Sequence, residues 1–345
     1  MSATAAVFPM SFAQRRFWLL QELSPASSAY HVTGAVYLRG QLDISVIRRT
    51  LDALVTRHEV LRTTFGTVDG KPVQVIHEQV DVALSVEDDL ELTDTGPERD
   101  KAIKVTLAEG LERPFDLRTD LPFRARIIRL AETVHIMQLT VHHIAADGWS
   151  MGIIIDEFTQ AYGALRSGES VSLPELPVQY ADFSAWQSEW LQSDALQREL
   201  DWWIAELRGM PEHLVLPADR PRPRVMSYRG GFVAVDIPLP TLARLEAQCS
   251  AEKATLFMGF LSLFASLLAH YTGRKDIAIG TPMSDRPRAE IESVVGCFVN
   301  TLVLRARIQD SETFRSRLHN LRDTCLAAYA HQELPFEYLV EHAVN

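Results

Sequence analysis

The sequence predicts a mixed α/β protein built as two lobes. At 345 residues the chain is longer than one compact core usually serves. Strand-like alternation and helix-like periodicity take turns in both halves, and the strands group as hairpins rather than as strand–helix–strand repeats. A turn-rich stretch without periodicity, "SGESVSLPELP" at 167–177, separates the halves, so one lobe is expected over 1–175 and another over 176–345.

Each element has a local reason. Ser11 and Gln14 in "SFAQ" have capping-box spacing and open a helix through "RRFWLLQEL". "HVTGAVYLRG" alternates as a strand. Asp43 stands where it can cap a helix that carries Ile47, Leu51, Leu54 and Val55 at helical spacing. "KPVQVIHEQV" reads as a strand, and "FRARIIRL" with "VHIMQLTVHH" as a hairpin around 131–133. On the second strand of that hairpin His135, Met137, Leu139, Val141 and His143 share one face, and His142 points to the other. A helix follows over about 150–165, with Ile154, Phe158, Ala161 and Leu165 in one stripe and Gly168 near its end.

The second half opens with an aromatic helical region at 180–207 and a Pro/Arg/Gly-rich segment at 219–231. The apolar window "ATLFMGFLSLFASLLA" at 254–269 is shorter than a membrane span and is expected as a buried core helix. The strand "DIAIG", the alternating "VNTLVLRARI" and a helix over about 311–329 complete the pattern.

Composition excludes several classes. A formal net charge of −11 opposes general binding to nucleic-acid phosphates. Cys249, Cys297 and Cys325 lie far apart with no C-x-x-C, so neither a disulfide framework nor a zinc site is expected, and a reducing cytoplasm suits them. The first residues lack the basic-then-apolar order of a signal peptide.

The chemistry concentrates in "TVHHIAADGWSMGII", 140–154. Three readings compete there. A metal could use His142, His143 and Asp147, but adjacent strand residues project to opposite faces and no third convergent ligand is evident. Ser150 within Gly148–x–Ser–x–Gly152 could be a hydrolase nucleophile, with Asp236 and His270 among the formal partners. However, "IAADG" puts more chain after the strand than a nucleophile elbow allows. The third reading makes His143 the working group and Asp147 the residue that holds the loop, beside a helix N-terminus that favours a carboxylate. From these residues alone, two ordinary polar histidines at a strand end remain an equal alternative.

Other segments decide. "SFAQRRFWLL" (11–20), "RHEVLRTTF" (57–65), "VHHIAADGWS" (141–150), "YADFSAW" (180–186), "VGCFVNT" (295–301) and "HQELPFE" (331–337) follow one another as six motifs along nearly the whole chain. In these the sequence resembles the condensation domain of nonribosomal peptide synthetases, a relative of chloramphenicol acetyltransferase-like acyltransferases. The resemblance implies two acetyltransferase-like lobes in a V-shaped pseudo-dimer with a central tunnel. It implies that donor and acceptor peptidyl carrier proteins each present a thioester on a 4′-phosphopantetheine arm, with an adenylation domain adjacent and no cofactor bound by the chain itself. It gives His143 the attacking amine, as base or as positioner, and His142 a structural place. It pairs Asp147 with Arg62 in a buried ion pair, has Gly148 keep the loop tight beside the arm, and sets Asn300, Trp149 and Ser150 along the tunnel. Family members continue past "HQELPFE", so the second lobe is expected to be incomplete. Ala145 and Ala146 stand where larger or polar spacers are more usual in the family. Trp-Ser-Met after Gly148 resembles members that join two L-residues. An epimerisation-type or other specialised relative, a coenzyme A-dependent acyltransferase, and a non-catalytic recruitment platform for carrier proteins remain as alternatives.

Overall fold

In the computed structural model, residues 5–87, 96–211, 213–224, 230–284, 286 and 288–343 are described. The chain divides into two compact units, Met1–Gln192 with Arg286–Val299, and Ser193–Asp285 with Asn300–Asn345.

The first unit starts with a strand, β1 (Ala6–Pro9), and the capped helix α1 (Phe12–Leu23). The capping box forms as its spacing predicts: Ser11 Oγ accepts from Gln14 N at 3.1 Å, and Gln14 Oε1 accepts from Ser11 N at 3.0 Å. β2 (His31–Arg39) precedes α2 (Ile44–Arg57), whose first turn is held by Asp43 Oδ1 accepting from Ser45 N at 2.9 Å. One 3₁₀ turn, Glu59–Arg62, leads into the hairpin β3 (Thr63–Val68) and β4 (Lys71–Ile76). Its two-residue turn has Asp69 at φ 49° and Gly70 at φ 74°, the paired left-handed conformation that suits a twisted hairpin. β5 (Ala83–Glu87), α3 (Pro97–Glu112), β6 (Phe123–Ala131), β7 (Val134–His142), α4 (Gly148–Arg166) and α5 (Tyr180–Trp190) follow.

Two sheets result, ordered β1-β4-β3 and β2-β7-β6-β5. β6 and β7 form the expected antiparallel hairpin, and β5 joins β6 in parallel. β7 is buried along nearly its whole length. Met137, Leu139 and Val141 join a core with Ile47, Leu51 and Leu54 of α2 and with Ile154 and Phe158 of α4. Ile136, on the other face, joins Ile103 of α3. The alternation read from sequence therefore holds, and both faces of the strand are covered. β3, β5 and α3 carry weak sequence signals and have no counterpart in the sequence reading.

The second unit contains α6 (Asp194–Leu207), α7 (Leu239–Ala251), α8 (Leu256–Thr272), β8 (Asp276–Ser284), α9 (Phe314–Ala330) and α10 (Phe336–Ala343), with β9 (Val299–Arg307) paired to β8. The aromatic run at 180–207 is thus two helices, one in each unit. The expected core helix, α8, is buried along one side only. Met258, Leu261, Ala265 and Leu268 are buried, whereas Phe257, Leu263, Phe264 and Leu267 are 42–50% exposed. The helix packs against α7, α9 and β8 along one stripe only, and its apolar residues continue around the other side. Among the described residues no single helix is long and apolar enough to cross a membrane.

Candidate active site

The loop between β7 and α4 is fixed at both ends by its own residues. Asp147 is the N-cap of α4, and its Oδ1 accepts from Ser150 N at 2.8 Å. At the strand end, His143 N donates to Tyr30 O and His142 N to Pro122 O, each at 2.8 Å. Between these anchors Ile144, Ala145 and Ala146 are fully buried, so the two small spacers fit a closed space.

The two histidines separate as strand geometry predicts. His142 is completely buried, with Phe115 and His31 edge-on to its ring at 6.2 and 5.9 Å. Its Nδ1 accepts from Ile144 N at 3.1 Å. Burial, then the neighbouring His31 and His143, push its pKa down to about 3. His143 is only partly buried. Its ring stacks on Phe17 at 4.8 Å, and its Nδ1 lies 3.6 Å from Cys297 Sγ. Burial lowers the pKa of His143 as well, against the opposing effects of hydrogen bonding to its own carbonyl and of the Asp147 charge. The imidazole is therefore neutral at pH 7, with a lone pair available to a proton donor.

Asp147 does not meet Arg62. It is 2% exposed and pairs with Arg286, whose Nη2 lies 3.2 and 3.3 Å from its two carboxylate oxygens. Asp147 Oδ2 also accepts from Phe298 N at 3.2 Å. Arg286 donates through Nη1 to the carbonyls of Ile291 and Val294, both at 2.7 Å, and its guanidinium lies 4.1 Å from the Phe298 ring centroid. Arg62 instead bonds Glu59 and the His77 carbonyl, within reach of its own turn and of β4's end. The residues of the "RHEVLRTTF" segment that do reach α4 are Arg57 and His58. Arg57 Nε is 3.1 Å from Glu157 Oε1, and His58 Nε2 is 2.7 Å from Glu157 Oε2. Sequence reasoning missed Arg286 and Glu157. Nothing local distinguishes either one, because each finds its partner about 100 residues or more along the chain.

Ser150 is fully buried and surrounded by polar partners. Its Oγ lies 2.7 Å from Asp147 Oδ1, 2.8 Å from Gly296 O, 3.0 Å from Arg286 Nη2 and 3.1 Å from Gly296 N. With its hydroxyl engaged and no histidine among its partners, it is a structural group, and the hydrolase reading fails. It faces these bonds rather than open space. Trp149 is 57% exposed and donates from Nε1 to Glu292 O at 2.9 Å. A Cβ at Gly148 would meet nothing within 4 Å, so there is room beside the loop. Asn300 lies in the second unit. Its Nδ2 donates to the carbonyls of Gln332 and Leu334, both at 2.8 Å, and its Oδ1 accepts from Phe336 N at 3.1 Å. It thereby closes the turn of "HQELPFE". Among the described residues no group of three or more His, Cys, Asp or Glu side chains could hold a metal ion.

This arrangement offers one neutral imidazole on a rigid loop, with open space beside Gly148. Residues 4–345 match the family model described as Condensation domain. The chain belongs to the condensation-domain family. It is 43% identical over 333 residues to one of the linear gramicidin synthase proteins of Brevibacillus parabrevis, covering 96% of this chain and 4% of that synthase protein. The chain thus spans a small fraction of such a synthase's length. Among solved structures, the complex of the X-domain and OxyB from teicoplanin biosynthesis aligns with a TM-score of 0.89 at 30% identity, over 98% of this chain and 73% of that one. Holo-AB3403, a four-domain nonribosomal peptide synthetase bound to AMP and glycine, aligns with a TM-score of 0.88 over 100% of this chain and 26% of that one. At 21% identity this second likeness speaks for the fold alone. Condensation domains share a two-lobed acetyltransferase-like fold, and those of nonribosomal peptide synthetases form amide bonds by acyl transfer.

Proposed function

We propose that this condensation domain joins a donor aminoacyl or peptidyl thioester to the amine of an acceptor aminoacyl thioester, both carried on phosphopantetheine arms of peptidyl carrier proteins. The acceptor nitrogen attacks the donor carbonyl carbon. A C–N bond forms, the C–S bond breaks, and the proton lost by the amine ends on the released donor thiol. The reaction needs a neutral amine held near the carbonyl more than it needs a powerful base. The observation that carries the reading is the partly buried His143 imidazole, whose burial favours the neutral form, on a loop whose next residues are fixed by Asp147 and Arg286. His143 either takes the amine's proton or holds it by a hydrogen bond. Joining of two L-residues, an adenylation domain as neighbour and a cytoplasmic setting belong to the same proposal. Arg62, placed on its own turn, supports the second motif's fold rather than the loop.

The test supplies donor and acceptor thioesters on carrier proteins to wild type and to His143→Ala. The expected outcome is a dipeptidyl thioester from wild type and a loss of roughly 10²–10⁴-fold in the variant, the range for removing a positioned acid–base group. No product from wild type across several aminoacyl pairs would sink the proposal. A second reading, recruitment without catalysis, is favoured by the likeness to an X-domain solved in complex with OxyB. It predicts carrier-protein or enzyme binding with no product from either protein. Product from coenzyme A thioesters alone would instead indicate a free-standing acyltransferase.

A further inference from the structure

We propose that His31 is a positioning residue for the histidine loop, forming with His142 a tautomer-locked pair that ties the loop to helix α3. The inference rests on the condensation reading only for its kinetic consequence.

His31 and His142 are direct cross-strand partners in the β2–β7 ladder, so their side chains leave the sheet on the same face. Their ring centroids are 5.9 Å apart, and Phe115 lies edge-on to both, at 5.0 Å from His31 and 6.2 Å from His142. The Nδ1 atom of each ring has a defined role. His142 Nδ1 accepts from the amide of Ile144 at 3.1 Å. An amide N–H only donates, so in the neutral ring the proton is on Nε2. His31 Nδ1 is 2.6 Å from the carbonyl oxygen of Leu111, near the end of α3. A carbonyl only accepts, so His31 carries its proton on Nδ1 and keeps a lone pair on Nε2. Burial lowers the pKa of both rings, which keeps them neutral at pH 7.

That leaves one buried donor, His142 Nε2–H, and one buried acceptor, His31 Nε2. Both are shielded from solvent, and neither has a hydrogen-bond partner among the described residues. Leaving two such groups unpaired side by side is costly, while pairing them satisfies both. With the ring centroids 5.9 Å apart and both Nδ1 atoms already held, the two Nε2 atoms are linked through one bridging water, which accepts from His142 and donates to His31. The same face of β7 carries Gln138 and Thr140, which line a cavity of about 460 Å³ beneath α3, so it is not a dry apolar wall. The bonds then run in one direction: Ile144 N–H to His142, His142 through the water to His31, and His31 to the Leu111 carbonyl. Such a chain polarises its members in series and fixes the backbone immediately after His143.

The test has a readout independent of activity. In protein labelled with ¹⁵N-histidine, long-range proton–nitrogen correlations at neutral pH should show the Nε2–H tautomer for His142 and the Nδ1–H tautomer for His31. The opposite tautomer at either residue, or a cationic His31, would overturn the proposal whether or not the chain condenses thioesters. In the condensation assay, His31→Leu should lower kcat by roughly tenfold with little change in KM, the size expected when a buried donor beside the loop is stranded. His31→Gln, which keeps an acceptor at the reach of Nε2, should restore most of the rate and keep His142 in its Nε2–H form. A His31→Leu protein with wild-type kcat, or a Gln variant no better than Leu, would remove the positioning role. An inactive wild type with the expected tautomers would count against the condensation reading alone.

Discussion

The role proposed for His143 uses its neutral form, and its surroundings favour that form. Burial lowers its pKa below the ordinary 6.5. Activity that depends on the neutral ring is therefore complete above the lowered value and lost as pH falls through it. We expect an acid limb in the pH profile of kcat that lies below pH 6.5 and disappears in His143→Asn. The acceptor amine adds its own limb nearer pH 8, the usual range for an α-amino group. An acid limb that persists in His143→Asn would take the residue out of the step. The orientation of this histidine was legible in sequence because strand alternation is a local rule. The partner of Asp147 was not, because an ion pair has no period. Arg286 reaches Asp147 from a separate segment, and only the fold brings them together.

At the scale of elements, the start of α4 is a crossroads at which Asp147, Ser150, Arg286 and the 296–298 backbone meet. Removing one charge from this buried pair strands the other, so Asp147→Asn or Arg286→Met should each cost about 3–5 kcal/mol in unfolding free energy. The double variant should cost less than the sum, with a coupling of about 0.5–3 kcal/mol in a double-mutant cycle. Additive losses would mean that the two side chains do not form one unit. Gly296 is the backbone side of the same crossroads. A Cβ there would stand 2.0 Å from Tyr180 Cδ2, and Tyr180 is fully buried with its hydroxyl donating to Cys297 O at 2.7 Å. Gly296→Ala should therefore destabilise by about 3 kcal/mol, at the upper end for overpacking. Gly148→Ala, with open space around its Cβ, should change stability by no more than about 1 kcal/mol. Thermal or urea unfolding of both variants distinguishes a glycine required by packing from one that only leaves room. The sequence motif "VGCFVNT" marks the first of these positions without revealing why: the constraint is an aromatic ring from α5.

Across the whole molecule, legibility followed the strength of local periodicity. The β6–β7 hairpin, the caps at Ser11 and Asp43 and the helix after Asp147 could all be read from sequence, because each satisfies its own backbone or buries a regular stripe. β5 and α3 could not, because they complete a sheet and cover its face through contacts that are distant in sequence. The exposed side of α8 was not legible for a related reason, since an apolar run does not tell how many of its faces are covered. That same covered sheet makes a global prediction. His31, His135, His142 and His143 all have lowered pKa values in the folded state, with burial the largest cause for each. The unfolded chain, with ordinary values near 6.5, binds more protons than the folded one below that pH. Folded stability should therefore be full above pH 6.5 and decline as pH falls below it. For His142 the decline continues down to its folded value of about 3. Carboxylates held low in the fold, such as Glu157 and Asp276, begin to lose their contribution as pH approaches the unfolded values of 4.5 and 3.8, so the window from about pH 5.5 to 6.5 isolates the histidines. Each imidazole kept neutral steepens the loss by up to about 1.4 kcal/mol per pH unit. Unfolding free energies from urea titrations across that window should fall with pH in wild type. In His142→Phe, an aromatic replacement that cannot titrate, the slope should be shallower by about one proton's share. An unchanged slope in that variant would mean that His142 is not held neutral in the fold.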